Sequence, residues 1–522
     1  MDKLNFMSMT CNLRLTPFES ANDKMIKKAA AKALGIEESS ISAVQINRKS
    51  IDTRRREPII DMSLTIYQGS EEPEIFKKTV YNNVEQAQSV LVVGSGPAGL
   101  FAALRLIEKG MRPIIFERGE DVHKRKVSMA SITTNRVINP DSNYSFGEGG
   151  AGAFSDGKLY TRSQKRGDVS KVLSQFCQHG ASLDILSEAH PHIGTDKLPQ
   201  VIENMRNTIL NNGGVVMFET KVTQLLYKGN QVIGLVTQKG EEFHGPVILA
   251  IGHSSRDFYQ YLSTTNTKLE AKGIACGVRL EHPQALIDQI QYKNPQGRGE
   301  YLPAASYSFV TQAHNRGVYS FCMCPGGFVI PAMTDNEQVV VNGMSPSLRN
   351  GKFANSAMVV EIRSEDLDGD DTNPLKMMAF QSKLERVCYT KGGSNLSAPA
   401  QRMADFVNGK VSADLPESSY ILGLKSADLA TLFPQFISAR LKEAFATFGR
   451  QAHGFLTNEA VMIATESRTS SPVRIVRDPQ TFQAVNNDGL YPCGEGAGYA
   501  GGIVSSALDG INVADAVIAR YR

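Results

Sequence analysis

No stretch of this sequence approaches the ~18 consecutive apolar residues that a membrane-spanning helix requires, so no span is expected. The Met-Asp-Lys start lacks the apolar core of a secretory signal. Charge of one sign is also missing: 56 Lys and Arg against 53 Asp and Glu leave a formal net charge of +3. That balance gives nucleic acid or an acidic membrane no broad footing. Cysteines are few, odd in number and scattered, seven in 522 residues. They fit reduced thiols in a cytoplasm better than a disulfide framework. What is present, 41% hydrophobic and 21% charged residues, is globular composition and argues against disorder. A chain this long exceeds one ordinary core, so roughly three domains or a large two-domain enzyme are expected.

The most informative stretch is VLVVGSGPAGL, residues 90 to 100. Ser89 to Val93 reads as a strand and Leu100 to Glu108 as a helix, with a glycine turn between them. Gly94 permits the turn, Gly96 admits a pyrophosphate close to the backbone, and Gly99 lets helix pack on strand. The helix N-terminus offers free N–H groups to phosphates. A second strand, Arg112 to Phe116, ends in Glu117, 23 residues after Gly94, where a ribose-binding acid belongs. A glycine turn alone occurs in any α/β protein; strand, glycines, helix, strand and acid in this order are what mark a dinucleotide site.

The fingerprint does not separate FAD from NAD, since both carry an ADP half, but three distant segments do. Residues 213 to 255 read as a β-meander turning at KGN and KGE, closed by an apolar strand into Ala250-Ile251-Gly252. DGLYPCGEGAGYAGGIVSSALDG, residues 488 to 510, runs from strand through a glycine-rich turn to helix. SFGEGGAGAFSDGKL, residues 145 to 159, is another dense glycine loop.

Fingerprint, FERG, meander and C-terminal glycine turn together resemble FAD-binding flavoproteins of the glutathione-reductase superfamily. With HPHIGTDKL, SFCMCPGG, MSPSLRNGKFANSA, ESRTSSPVRI and GEGAGYAGGI, the whole chain resembles more closely the poorly characterised FAD-dependent dehydrogenase family. The resemblance implies an α/β fold: a Rossmann-like FAD-binding domain (89–262 plus 481–522), an inserted α+β substrate domain (263–480) and a small N-terminal α+β, ferredoxin-like domain (1–88). It implies FAD held by Gly94, Ser95, Gly96, Pro97, Ala98 and Gly99, with Glu117 on the ribose. Arg118, Arg125, Gly149, Gly150 and Gly252 join the implied cofactor set, and Val222 presents backbone to the adenine. Gly494 and Glu495 stand where the superfamily has Gly-Asp, so a longer acid must reach the ribityl chain. Gly501, Gly502 and Ile503 would cover the pyrimidine end of the flavin.

The N-terminal region reads as strand, helix, strand, strand: Leu4 to Leu15, residues 23 to 36, Ile41 to Lys49, and PIIDMSLTIY. Its basic cluster, residues 48 to 57 with Arg48, Lys49, Arg54 and Arg56, reads as a solvated turn in preference to an RNA surface. Metal ligation is not expected. His190 and His192 are split by a proline and lack H-x-x-x-H spacing. The acidic loop 366–374 has Met377 where a calcium loop needs glutamate.

Catalytic candidates are Arg468, for clamping a carboxylate or charged flavin, and His190 or His192, for proton transfer. Glu466 offers Arg468 or Arg474 an internal ion pair, and His253 reads as a structural neighbour of the cofactor. Cys322 and Cys324 on a strand read as small buried hydrophobes, because no activating cation is evident nearby. The expected function is an FAD-dependent oxidoreductase passing hydride between flavin and a small organic substrate, with NAD(P)H as at most a transient reductant. The alternatives are an alkene reductase resembling geranylgeranyl reductases, and an RNA-associated protein with a non-redox flavin. An apolar tunnel would favour the first, and a continuous basic face the second.

Overall fold

Five short apolar segments lie side by side in the order Leu490–Pro492, Val247–Leu249, Ser89–Val93, Arg112–Phe116 and Val215–Met217. Every neighbouring pair is parallel. Ser89–Val93 and Val247–Leu249 are almost wholly buried, as strands covered on both faces must be. The computed structural model describes residues 8–55, 57–69, 73–161 and 164–522. Helix Pro97–Glu108 crosses from the first strand of this sheet to the second and packs against the C-terminal helix Ile503–Tyr521. The two helices approach so closely at Gly510 that a Cβ there would stand 2.1 Å from the Ala98 carbonyl oxygen. Thus the first and last glycine loops of the sequence meet at one sheet edge.

The meander falls where KGN and KGE place it: Val222–Lys228, Gln231–Thr237 and Glu242–His244 are antiparallel. The segments flanking it, Val215–Met217 and Val247–Leu249, belong instead to the parallel sheet.

From Ile274 to Glu466 the chain builds a larger, mostly antiparallel sheet. Its order is Val310–Ala313, Arg316–Pro331, Phe353–Ile362, Ile274–Pro283, Val461–Glu466, Ala398–Arg402 and Leu424–Ser426, with Val341–Met344 also on Arg316–Pro331. Helices Gln284–Tyr292, Lys376–Gly392 and Gln435–Gln451 bury apolar stripes in the same core. The chain enters through Leu269–Ala271 and leaves through Val473–Ile475, and these two segments pair antiparallel.

At the N-terminus, Met9–Leu15, Ile59–Gln68 and Ile41–Asp52 form a three-stranded antiparallel sheet in that order. Strict alternation along Ile59–Gln68 turns Ile60, Met62, Leu64 and Ile66 to one face. Helix Asp23–Leu34 covers it with Ile26, Ala30 and Ala31. Strand, helix, strand, strand is the order expected; among the described residues 73–88 no second helix or fourth strand follows, so the β-α-β-β-α-β order of a ferredoxin-like unit is not completed there. The expected first strand starts at Leu4, and residues up to Met7 lie outside the described residues.

The unit is anchored on loops of both larger parts of the fold. Lys49 N–H donates to Ser187 O at 2.8 Å, and Ala189 N–H donates to Lys49 O at 3.0 Å. Lys293 Nζ donates to Arg54 O at 3.1 Å, and the Phe18 and Tyr301 rings meet edge-on at 5.4 Å. It therefore braces the loop that carries His190.

Candidate cofactor and active-site cleft

A cleft of about 1240 Å³ opens between the C-terminal edge of the parallel sheet and the inserted sheet. Fifteen of the anticipated residues line it: Gly94, Gly96, Pro97, Ala98, Glu117, Arg118, Gly150, His190, Val222, Gly252, Arg468, Glu495, Gly501, Gly502 and Ile503. Ligands of open parallel sheets bind at such an edge.

Whether an FAD fits can be tested at the glycines. Gly99 is required by the fold itself, since a Cβ would lie 1.9 Å from Gly94 O. Gly96 is not: its φ of −72° suits any residue, and a Cβ would meet nothing nearer than Gly150 Cα at 3.8 Å. At Gly501 a Cβ meets nothing within 4 Å, and at Gly502 only Ser505 Oγ at 3.9 Å. These three leave open volume that side chains would fill along the cleft wall. Gly96 and Gly502 also precede the two helices Pro97–Glu108 and Ile503–Tyr521, and neither helix has a side-chain cap. Two uncapped N-termini on one cleft offer N–H groups and positive dipole ends to an anion. The donor set fits a dinucleotide.

Glu117 is 5% exposed, and its carboxylate is already fully engaged. Oε2 accepts from Ser95 N–H at 2.9 Å and Ser95 Oγ–H at 2.7 Å, while Oε1 accepts from Gly119 and Gly147 N–H, each at 3.0 Å. It ties the fingerprint loop to the second glycine loop, so a ribose hydroxyl would have to share its lone pairs. Glu495 presents the opposite case. It lines the cleft, no donor among the described residues hydrogen-bonds its carboxylate, and burial pushes it up to about 7. Of the two glutamates, Glu495 is thus the one with room for a ligand hydroxyl.

Six anticipated residues lie behind the wall. Ser95 is held by Glu117, Gly99 by its helix packing, and Gly494 donates its N–H to Asp509 Oδ2 at 2.7 Å. Gly149 is packed so that a Cβ would strike Ile202 Cδ1 at 2.4 Å. Arg125 is fully buried and donates to the carbonyls of Asn143 at 2.8 Å, Glu148 at 2.7 Å and Gly150 at 2.9 Å. It shapes the second glycine loop from behind. His192 donates from Nε2 to Ser347 O at 3.0 Å, away from the cleft. Arg118 lines the cleft but is spent on Asp141 and Asp257, its guanidinium 4.1 Å above the Phe146 ring.

The structure redistributes the catalytic candidates. Arg468 does not pair with Glu466. Its Nε and Nη2 donate to Glu385 at 3.1 Å each, Nη1 to Thr334 at 2.8 Å and Ser254 at 3.3 Å, and Nη2 to Gln338 at 2.9 Å. All five donors of the guanidinium are used, leaving none to clamp a substrate carboxylate. Glu385 also receives Arg256 at 2.7 and 2.8 Å and is drawn down to about 2, against its burial, by Arg468 and Arg256. This buried Arg–Glu–Arg cluster joins the helix Arg256–Ser263 to the inserted sheet. Glu466 faces Arg279 instead, at 3.5 Å.

His190 packs at a tilt of 60° against Tyr160, with ring centroids 4.9 Å apart. Burial, with Arg349 and Arg48 nearby, holds its pKa below the usual histidine range. His192 is held down by burial and Arg349, and His253 is pushed down to about 4 by burial and Arg468. None of them carries a spare proton at neutral pH. The basic N-terminal cluster is partly neutralised: Arg54 grips Asp52 at 2.8 and 2.9 Å, and Arg14 reaches Asp61 at 3.0 Å. Arg56 lies outside the described residues.

Residues 89–142 match the family model of an FAD binding domain. Residues 273–469 match that of an FAD-dependent protein, C-terminal domain-like, and residues 7–67 that of a domain of unknown function. Over 530 aligned residues the chain is 39% identical to an uncharacterized protein of Clostridium beijerinckii (strain ATCC 51743 / NCIMB 8052), covering 98% of each. The chain belongs to the family of that clostridial protein. With its FAD-binding match it is an FAD-dependent flavoprotein. Among solved structures, CtdE in complex with FAD is 10% identical, with 83% of this chain and 88% of that chain covered and a TM-score of 0.34. A geranylgeranyl bacteriochlorophyll reductase-like protein from Thermoplasma acidophilum is 12% identical, with 83% and 79% covered and a TM-score of 0.34. Likenesses this distant leave the reaction to be argued from the flavoprotein's own site.

Sequence reasoning missed part of that site. Asp156 and Arg349 both line the cleft and pair at 3.1 Å across 193 residues. Lys158 lines it too and donates to Met323 O. Strand Arg316–Pro331 contributes Tyr319, Phe321 and Cys322 to its roof, and the segment before Val310 contributes Tyr307 and Phe309. No local pattern links these positions. The signal available was the charge within SDGKL and SLRNGK, whose partners only the fold reveals. Among the described residues no helix is long and apolar enough to cross a membrane.

Proposed function

We propose that the chain is an FAD-dependent oxidoreductase moving hydride between the flavin and a small organic substrate. Residues 89–262 and 481–522 would bind the cofactor, and 263–480 would hold the substrate. The observation that carries this reading is convergence: two uncapped helix N-termini and the open glycines 96, 501 and 502 face one cleft. When bound, FAD supplies two-electron chemistry, and the protein supplies binding, orientation and exclusion of water. The free N–H groups at the start of helix Pro97–Glu108 would meet the pyrophosphate, and Val222 would present backbone to the adenine. Glu495 would accept a ribityl hydroxyl, and the backbone at Gly501, Gly502 and Ile503 would face the pyrimidine edge. His190, neutral at the cleft, accepts or shares a proton and orients substrate. Arg468 positions the roof through Glu385 and touches no substrate.

Phe309, Val310, Tyr319 and Phe321 give the roof an apolar stretch, which favours an apolar substrate and keeps the alkene-reductase version in play. The ion-paired arginines of the N-terminal sheet count against an RNA-gripping face. The test is anaerobic stopped-flow absorbance of the flavin band after mixing with NADH, then NADPH. Rapid bleaching identifies a pyridine-nucleotide donor. A bound flavin that stays oxidised with both, and with a panel of reduced organic donors, sinks the hydride-transfer reading.

A further inference from the structure

The strand Arg316–Pro331 loses its alternation in the middle. Its register against Phe353–Ile362 shifts between Phe321 and Cys324 and again between Cys324 and Gly327. Cys322 takes φ of +50°, a region side chains avoid unless the surroundings enforce it. The irregularity falls at the two cysteines. Cys322 lines the cleft. Cys324, fully buried, turns its thiol back to the Cys322 carbonyl at 3.3 Å. Both cysteines are free.

Under them lies the guanidinium of Arg279, 0% exposed. Nη2 donates to Cys322 O at 2.7 Å and to Cys324 Sγ at 3.2 Å, and Nε donates to Asn355 Oδ1 at 2.8 Å. Gly343 makes room for it, since a Cβ there would sit 2.1 Å from Nη2. A buried guanidinium keeps its proton and demands an anion. Among the described residues its carboxylate partner is Glu466 at 3.5 Å, which burial pushes up to about 7. The cysteine pair is the other acidic group beside it. The neighbouring Cys324 thiol, with Lys158 and Arg279, draws the Cys322 thiol down, while burial holds Cys324 protonated. Packing cysteines as small hydrophobes accounts for neither the arginine on the sulfur nor the strained backbone. Cys322 also lies near enough to Glu495 for its charge to raise that carboxyl.

We propose that Cys322 and Cys324 form a redox dithiol that exchanges two electrons with the flavin. The inference rests on the FAD reading given above. In the step, the Cys322 thiolate and Cys324 thiol form an S–S bond, giving up two electrons and the Cys324 proton. FAD takes up those two electrons and one proton as FADH⁻, so the exchange balances without another reagent, and its reverse restores the dithiol.

The experiment uses full-length, FAD-loaded protein oxidised with diamide, desalted and titrated anaerobically with dithionite. The wild type should take up four electrons per bound FAD, and C322S and C324S two. Peptide mapping of the diamide-treated wild type should show both cysteines in one peptide protected from alkylation. A wild-type uptake of two electrons, with both cysteines still alkylated, overturns the inference alone. That result is read on the wild type and does not depend on the variants folding. Purified protein that carries and accepts no FAD overturns the FAD reading, and the dithiol inference falls with it.

Discussion

Substituting Gly96 by alanine separates what the fold needs from what a ligand needs. The new methyl meets no protein atom nearer than 3.8 Å, and φ at −72° accommodates it. Alanine is a poorer N-cap than glycine by a few tenths of a kcal/mol or more, whereas losing glycine's unfolded-state freedom returns ~0.4–1 kcal/mol. The apoprotein should therefore unfold within about 0.5 kcal/mol of wild type in urea. The same methyl occupies the volume a pyrophosphate would enter. Overpacking of that kind costs ~1–3 kcal/mol, or roughly fivefold to 150-fold in FAD affinity. Gly99→Ala is the contrasting control: its Cβ would lie 1.9 Å from Gly94 O, so the apoprotein itself should lose stability. FAD titration by flavin fluorescence, beside urea unfolding of each apoprotein, reads both effects. If G96A binds FAD like wild type, or unfolds as early as G99A, the assignment of this loop is wrong.

Three further outcomes follow from the same geometry. Arg468→Ala breaks a buried pair whose loss typically costs ~3–5 kcal/mol, and Arg468→Lys should recover little, since lysine cannot reproduce five fixed donors; a urea midpoint near wild type for R468A would contradict this. Glu117→Gln places an amide donor against N–H donors from Ser95, Gly119 or Gly147, costing ~1–3 kcal/mol together with FAD affinity; an unchanged midpoint would show that the carboxylate is not the tie between loops. Burial lifts Glu495 from the ordinary 4.5 to about 7 in the folded apoprotein, so the folded state holds a proton the unfolded state has released. Wild type should therefore lose stability relative to E495Q as pH rises from 4.5 to about 7, and a gap that stays constant or moves the other way refutes the buried acid.

What the sequence made legible was local. Ser89–Val93, Pro97–Glu108 and Arg112–Phe116 stand where apolar runs and glycines put them, because each depends on neighbours within a few residues. The meander was readable because Gly229 and Gly240, with φ of +61° and +77°, sit at its turns. What was not legible depends on contacts across the fold. Arg468 and Glu385 are 83 residues apart, and no spacing rule favours Glu385 over Glu466. The cation beside Cys324 is Arg279, 45 residues upstream on another strand, so the cysteines looked unactivated. Glu117 was readable as an acid at the right place. Only the folded loops show that Ser95, Gly119 and Gly147 already occupy it.

The most direct test of the account is the flavin itself. Protein purified without added cofactor is denatured, and the released chromophore is identified by chromatography and quantified against the chain. The account predicts FAD approaching one per chain, lost from G96A and regained on its reconstitution at high FAD concentration. No flavin in the wild type, and no uptake of added FAD, would contradict it.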